Sequence, residues 1–370
     1  MGRKRISISS VRLKCPGNRL YAQNPDSLLS AGTALATLPS YEQGEIMRVV
    51  IPVAGSGTRL RPHTYSQPKP LLHVGDKPII AHLLDPVVRL EPEEVIFVVG
   101  YMGERIREYV EANYSFNATF VPQDKLLGLG YAVDVALRGV SSGDLLVLLG
   151  DTIVECDLGQ FVRAGENVLG VLPVDNPRRF GIVTVQDGRV VSLEEKPENP
   201  HGNLAIIGLY YFKDVRPLKD ALKRHVESGR TTRGEVQFTD ALQLMLESGS
   251  RFVPYEVSEW FDCGKKETML STNRHLVTLR EQNPVLPGST IRGAAYIHPS
   301  AKIVDSAIGP AVSIAEGTVV LKSDIQNSII GRNCHIENST LRDSFIGNDV
   351  RIRGVNLIAN LGDSSEVESG

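Results

Sequence analysis

An α/β fold with a mixed, mostly parallel sheet, followed by a short left-handed β-helix, is what this 370-residue chain predicts. Three observations predict it. Between about 47 and 280, charge-free apolar runs alternate with amphipathic stretches, the pattern of strands joined by helices that cover both faces of a parallel sheet. The first run, residues 49–53, breaks at once into Ala54-Gly55-Ser56-Gly57-Thr58-Arg59, a small-residue loop at the carboxyl end of a strand, where sites in such sheets lie. Beyond 285, apolar residues recur every five or six positions, the period of hexapeptide repeats.

Composition bounds the rest. The chain is long enough for two domains and a substantial core. A net charge of −3 gives no support to nucleic-acid binding. No apolar run approaches the ~20 residues that span a bilayer. Cys15, Cys156, Cys263 and Cys334 are scattered without metal-ligand spacing, which fits a reducing cytoplasm and argues against a disulfide framework or zinc site. Residues 1–46 lack clear periodicity and carry no acid before Asp26; we expect a disordered extension or a mis-assigned start, with Met47 immediately before the first strand.

In chain order, a helix is expected over 78–90, a strand over 94–99, a helix over 103–114, and strands over 118–121 and 144–149. Strands follow at 168–174, 180–183, 190–195 and 205–212, then a helix to 247 capped by Thr239 or Asp240, and a closing helix over 265–281. Residues 47–284 form the expected α/β domain, the one that carries the opening loop, 285–362 the β-helix and 363–370 a tail. In the β-helix the inward residues are Ile297, Ile303, Ile308, Ile314, Val320, Ile325, Ile330, Ile336, Leu341, Ile346 and Ile352. Three faces per turn give about four turns. His298 and His335 have no evident partner.

The opening loop has little side-chain bulk, so backbone N–H groups can approach an anion, and phosphate is the usual one. Arg59 and Lys69 add charge, and Pro62, Pro68 and Pro70 restrain the segment between and around them. It is neither a P-loop nor a dinucleotide fingerprint, because GxxxxGK[ST] and GxGxxG are both absent. Asp151, just past the 144–149 strand and Gly150, is placed to hold Mg²⁺, although aspartate is also common in turns. Gln123 has the paired donor and acceptor that read a pyrimidine edge, and alone would be an ordinary surface residue. Glu194-Glu195-Lys196 alone would be a solvated charged turn.

Together the segments Gly55-Ser56-Gly57-Thr58-Arg59-Leu60-Arg61-Pro62-His63-Thr64 and Lys69-Pro70-Leu71-Leu72 resemble the signature of the sugar-1-phosphate nucleotidylyltransferases, or nucleotide-sugar pyrophosphorylases. Ala54 stands where many members carry glycine. The resemblance extends to about 362. It implies a Rossmann-like sheet of the nucleotide-diphospho-sugar transferase type, and transfer of a nucleotidyl group from a nucleoside triphosphate to a sugar 1-phosphate with release of pyrophosphate. It also implies residue roles. Gly55, Ser56, Gly57, Thr58, Gln123 and Gly128 would bind the nucleotide. Asp151 and Asp262, the latter in Trp260-Phe261-Asp262-Cys263-Gly264, would hold Mg²⁺. Gly181, Glu195, Lys196, Gly208, Tyr210 and Arg233 would bind the sugar phosphate, and Arg59, Lys69 and Lys196 would be catalytic.

Gly128-Leu129-Gly130 resembles uridylyl enzymes, whereas the end Leu361-Gly362-Asp363 resembles the long thymidylyl type with an appended β-helix, which implies a homo-oligomer. The chosen substrates are dTTP and glucose 1-phosphate, with UTP second. Two other classes are alternatives. A silent regulatory homologue that binds nucleotide-sugars stays open, and against it Arg59, Lys69, Asp151, Lys196 and Asp262 are all present. A glycosyltransferase needs a D-x-D motif, and Asp151-Thr152-Ile153 lacks the second aspartate.

Overall fold

The computed structural model describes residues 47–279, 286 and 288–369. Residues 1–46, and the expected end of the last helix at 280–281, lie outside them.

The charge-free run becomes β1 (Met47–Pro52), and its turn leads into a small hairpin, β2 (His73–Val74) and β3 (Lys77–Pro78). Then come α1 (Ile79–Val88), β4 (Glu94–Val99), α2 (Gly103–Asn113), β5 (Ala118–Pro122), α3 (Leu129–Ala136), β6 (Asp144–Leu148), β7 (Thr152–Glu155) and α4 (Leu158–Val162). The second half holds β8 (Asn167–Pro173), β9 (Gly181–Gln186), β10 (Arg189–Glu195), β11 (Leu204–Phe212), α5 (Val215–Glu227), α6 (Phe238–Glu247), β12 (Val253–Glu256), β13 (Glu259–Asp262) and α7 (Lys266–Thr278).

The sheet runs β10-β9-β11-β6-β1-β4-β5, with β8 also on β11 and β12 on β8. The β6-β1-β4-β5 side is parallel, and β11 is antiparallel to β6, β8 and β9. Val50, Ile96, Val98, Leu145 and Val147 point into the main core with Ala132, Val133, Leu218, Leu222, Phe238 and Leu242 of α3, α5 and α6. Their neighbours Val49, Ile51, Phe97 and Leu146 are equally buried, so both faces of these strands are covered. The parallel strands are therefore apolar throughout, which is why the sequence shows runs rather than alternation there.

The expected cap of α6 is corrected. Its N-cap is Gln237, with no side-chain cap bond, and Thr239 and Asp240 bond elsewhere.

Beyond 288 the chain winds through three parallel sheets of five strands each, so the β-helix has one more turn than the four expected. All eleven expected inward residues lie in one core cluster. They stack in columns: Ile308 on Ile325 on Leu341 on Leu357, and Ile303 on Val320 on Ile336 on Ile352. Buried serines tie the coils together, since the N–H of Ser323 donates to Ser306 Oγ and that of Ser339 to Ser323 Oγ, each at 3.1 Å. Corner residues Asp305, Lys322, Asn333, Asn338 and Asp349 take positive φ, which Asn and Asp tolerate best. The boundary at 362 is also corrected: Glu366–Glu368 pairs in register with Arg351–Arg353. His298 and His335 do have neighbours, Ser300 Oγ at 2.8 Å and Glu337 Oε2 at 3.9 Å.

The β-helix packs on the catalytic part. Ile329 and Phe345 share a cluster with Leu60, Leu72, Ile79, Cys263 and Met269. Buried Asn273 of α7 accepts from the N–H of Gly75 at 2.9 Å and donates to the Ala311 carbonyl at 3.2 Å.

Candidate active site

The loop after β1 is tied down when Val53 N–H donates to the Val98 carbonyl at 2.8 Å. Gly57 sits at φ 60°, and a Cβ there would lie 2.9 Å from Thr64 Cγ2 and 3.1 Å from Lys69 Cβ. Only glycine allows both the turn and the approach of Lys69. Thr64 Oγ1 donates to the Gly57 carbonyl at 2.9 Å and closes the loop. Gly55 faces open space, and Thr58 and Arg59 are exposed. Ser56 is half-buried between them. Ala54 packs against Gly100, whose added Cβ would lie 2.6 Å from the Ala54 carbonyl oxygen.

Lys69 is buried to 7% exposure, and its Nζ lies 2.8 Å from Asp151 Oδ2. Asp151 reaches this place because Gly150 lets the end of β6 press on β1; a Cβ at 150 would lie 2.3 Å from Val53 Cγ1. The β7–β13 ribbon brings in the second carboxylate. Asp262 pairs with Thr152, and Cys263 N–H donates to the Asp151 carbonyl at 3.2 Å. Asp262 and Arg59 converge on Gly264: a Cβ there would lie 2.7 Å from Asp262 Oδ1 and 3.3 Å from Arg59 Nη2. Cys263 is fully buried, and burial pushes its thiol up to about 12 against the pull of Lys69, so it packs as a neutral group.

A second cluster forms where β9 and β10 pair. Glu195 is opposite Gly181, with Oε1 2.8 Å from Lys196 Nζ and Oε2 accepting from Thr239 Oγ1 at 2.7 Å. A Cβ on Gly181 would lie 2.7 Å from that Thr239 oxygen. Lys196 and Arg233 both hold positive φ, 46° and 56°, and Arg233 Nη2 donates to the Lys196 carbonyl at 3.4 Å.

Gln123 and Gly128, expected to bind the nucleotide, lie on the loop before α3. Gln123 Nε2 donates to the Lys125 carbonyl at 2.9 Å. Gly128, at φ 104°, leaves only 2.8 Å between a would-be Cβ and the Val236 carbonyl oxygen. Val236 N–H donates to Leu127 at 2.7 Å and its carbonyl accepts from Gly130 N–H at 2.9 Å. The loop that carries Arg233 is thus zipped to the loop that carries Gly128.

Two expected residues are supports rather than open surface. Gly208, at φ 84°, lets β11 close on Leu149, whose N–H it receives at 3.0 Å. Tyr210 is buried in the main core with its ring edge-on to Phe238 at 4.9 Å, and burial followed by the Glu195 charge pushes its hydroxyl's pKa up.

Sequence reasoning missed Thr64, Thr239 and the Val236–Leu127 zipper. Thr64 stood inside the quoted signature, so the signal was present, and Thr239 was expected only as a helix cap. The zipper carries no local signal.

Among the described residues no three His, Cys, Asp or Glu side chains gather as a protein-only metal cage. The oxygen donors of Asp151 and Asp262 suit Mg²⁺, which binds through one or two carboxylates and completes its shell with phosphates or water. No helix among the described residues is long and apolar enough to cross a membrane.

Comparison with known proteins supplies the family. Residues 48–278 match the nucleotidyl transferase family. "Bifunctional protein GlmU" of Methanococcus vannielii is 33% identical over 348 residues, covering 85% of this chain and 81% of the relative. A glucose-1-phosphate thymidylyltransferase of Streptomyces griseus is 29% identical over 336 residues, covering 83% and 93%. In fold, a UDP-glucose pyrophosphorylase solved with UDP-glucose superposes with a TM-score of 0.55 at 21% identity, over 61% of this chain and 97% of that one. The family match spans more than half of the chain, and the protein belongs to the nucleotidyl transferase family.

Proposed function

We propose that the protein transfers a nucleotidyl group from a pyrimidine nucleoside triphosphate to a sugar 1-phosphate, forming a nucleotide-sugar and pyrophosphate. Our choice of pair is dTTP and glucose 1-phosphate, with UTP the next nucleotide. The observation that carries this is the pair of cation–carboxylate clusters: Lys69 on Asp151 beside Arg59 and Asp262, and Lys196 on Glu195 beside Arg233. One suits a triphosphate, the other a second, smaller phosphorylated group.

The chemistry needs charge neutralised and atoms aligned rather than covalent help from the protein. An oxygen of the sugar phosphate bonds to the α-phosphorus. The bond from that phosphorus to the β-phosphate oxygen breaks, and its electrons leave on pyrophosphate. No general base is needed, because a phosphate monoester is already largely ionised at pH 7. Arg59 meets the leaving pyrophosphate and Lys69 the α-phosphate region. Lys196 and Arg233 hold the nucleophilic phosphate. Glu195 keeps lone pairs for sugar hydroxyls beyond those that Lys196 and Thr239 occupy. Gln123 and Gly128 read the base. Asp151 and Asp262 would hold Mg²⁺, which offsets polyphosphate charge when bound. A homo-oligomer built through the β-helix, in the cytoplasm, completes the proposal.

The test is pyrophosphate release by purified protein with Mg²⁺. The grid is dTTP, UTP, GTP, CTP and ATP against glucose, mannose, galactose and N-acetylglucosamine 1-phosphates. A signal in a pyrimidine row is the expected result. A blank grid from folded protein that still binds a nucleotide-sugar would overturn this reading in favour of the silent regulatory homologue.

A further inference from the structure

The segment between the two cations of the signature, residues 61–67, does not stand on the catalytic domain alone. His63 is 2% exposed and stacks on Phe345 of the β-helix, with ring centroids 3.7 Å apart and 20° between planes. Its Nε2 lies 2.8 Å from Asn360 Oδ1, so the ring donates there. Asn360 Nδ2 donates back to the Arg61 carbonyl at 3.3 Å. Ser66 Oγ donates to Asp363 Oδ2 at 2.8 Å. Asp363 is itself held, since its Oδ1 accepts from the N–H of Asn348 at 2.7 Å. Between these bonds Gly362 lies against Pro62, where a Cβ would sit 3.0 Å from Pro62 Cβ.

These contacts join the signature to the last two coils, nearly 300 residues away in sequence. The same short segment sets the distance from Arg59 to Lys69, and Leu60 and Leu72 at its two ends pack in the cluster that contains Phe345. A mutual placement error of an ångström between catalytic groups is costly even when the cause is remote.

We propose that the end of the β-helix is a positioning element of the active site: Phe345, Asn360 and Asp363 clamp residues 61–67 and thereby fix Arg59 relative to Lys69. Resting on the proposed transferase reading, this gives the β-helix a role in turnover apart from assembly. The three residues touch no substrate. They act through His63, Arg61 and Ser66.

The test uses full-length Asn360→Ala, Asp363→Ala, Asp363→Asn and Ser66→Ala, with Arg353→Ala on another face of the β-helix as the control. Two readouts are taken on each: steady-state pyrophosphate release, and hydrogen–deuterium exchange of residues 58–72. Asn360→Ala and Asp363→Ala should each lower kcat about ten-fold with KM for the sugar phosphate little changed, because alignment rather than affinity is lost. Exchange across 58–72 should rise while the unfolding midpoint holds. Asp363→Asn can keep its one oxygen on the Asn348 N–H and turn its amide N–H towards Ser66 Oγ, so it should recover part of the turnover. Ser66→Ala and Asp363→Ala together should cost no more than either alone. Unchanged kcat and unchanged exchange in Asn360→Ala and Asp363→Ala would overturn the proposal, as would an equal loss in Arg353→Ala. If the parent itself releases no pyrophosphate, the transferase reading fails, and the exchange data still decide whether the clamp holds the segment.

Discussion

In the β-helix, Ile303, Val320, Ile336 and Ile352 occupy one position four times over, each a coil above the last. In the catalytic sheet no functional contact is repeated: Lys69 meets Asp151 once, and Glu195 meets Lys196 and Thr239 once. The first arrangement divides stability among equivalent positions, as a quasi-one-dimensional stack does. The second concentrates function in single contacts, some of them strained, such as Lys196 and Arg233 at positive φ. A substitution in the β-helix core should therefore show in stability, and one in the catalytic clusters in turnover.

The largest effect expected is on stability. Ile336→Ala and Ile352→Ala, at buried positions of this one column, should each destabilise by about 2–5 kcal/mol with normal turnover per folded molecule. Denaturant unfolding measures both, and a neutral result at either would break the equivalence of the coils. Next comes Asp151→Asn, which should raise the reaction barrier by ~2.7–4 kcal/mol and leave the unfolding midpoint close to the parent's. Turnover within a few-fold of the parent would remove Asp151 from the site.

The seam between the two regions gives a smaller, pH-dependent effect. Burial and then the Arg332 charge lower His73 from 6.5 to about 4, and its ring stacks on Tyr296 of the β-helix at 6.3 Å. With the folded pKa depressed, this contribution is complete above pH 6.5 and is lost as pH falls from there towards 4. The loss is at most about 3 kcal/mol. His73→Gln should flatten stability across that interval in a thermal-melt series, and an unaltered slope would exclude His73 as the cause. Smallest is Thr239→Val, which removes one hydrogen bond to Glu195 and should cost about 1 kcal/mol, seen as a higher KM for the sugar phosphate.

The contrast between regions also explains what was legible in the sequence. Inward residues of the β-helix could be read one by one because the period is local and all eleven obey it. The fifth turn was missed because Asn356, Asn360 and Glu366 crowd polar residues around Leu357, Leu361 and Val367 and blur that period. The parallel strands were legible to within a residue or two, since buried parallel strands are nearly bare of charge, whereas β9 runs three residues past its expected end and β12 was not expected. Lys69, Asp151, Gly181 and Glu195 were each named from the resemblance, but that Lys69 lies on Asp151 and Gly181 opposite Glu195 is visible only in the fold. Thr239 was misread as a cap because capping is a local pattern, while its partner is 44 residues away. Tyr210, expected beside the sugar, packs in the core within reach of the Glu195 charge, and strand alternation near a register shift in β11 does not say which face a residue takes. The clamp on His63 and Ser66 spans 297 residues and left no mark in either segment alone.

The division of the site into a triphosphate cluster and a sugar-phosphate cluster is tested most directly by titrating each substrate separately, by calorimetry, into Lys69→Ala and Lys196→Ala. The account predicts that Lys196→Ala weakens the sugar 1-phosphate about ten-fold or more while the nucleoside triphosphate binds as in the parent, with the main loss in Lys69→Ala falling on the triphosphate side. Equal weakening of both substrates by each variant, or the reverse pattern, would contradict it.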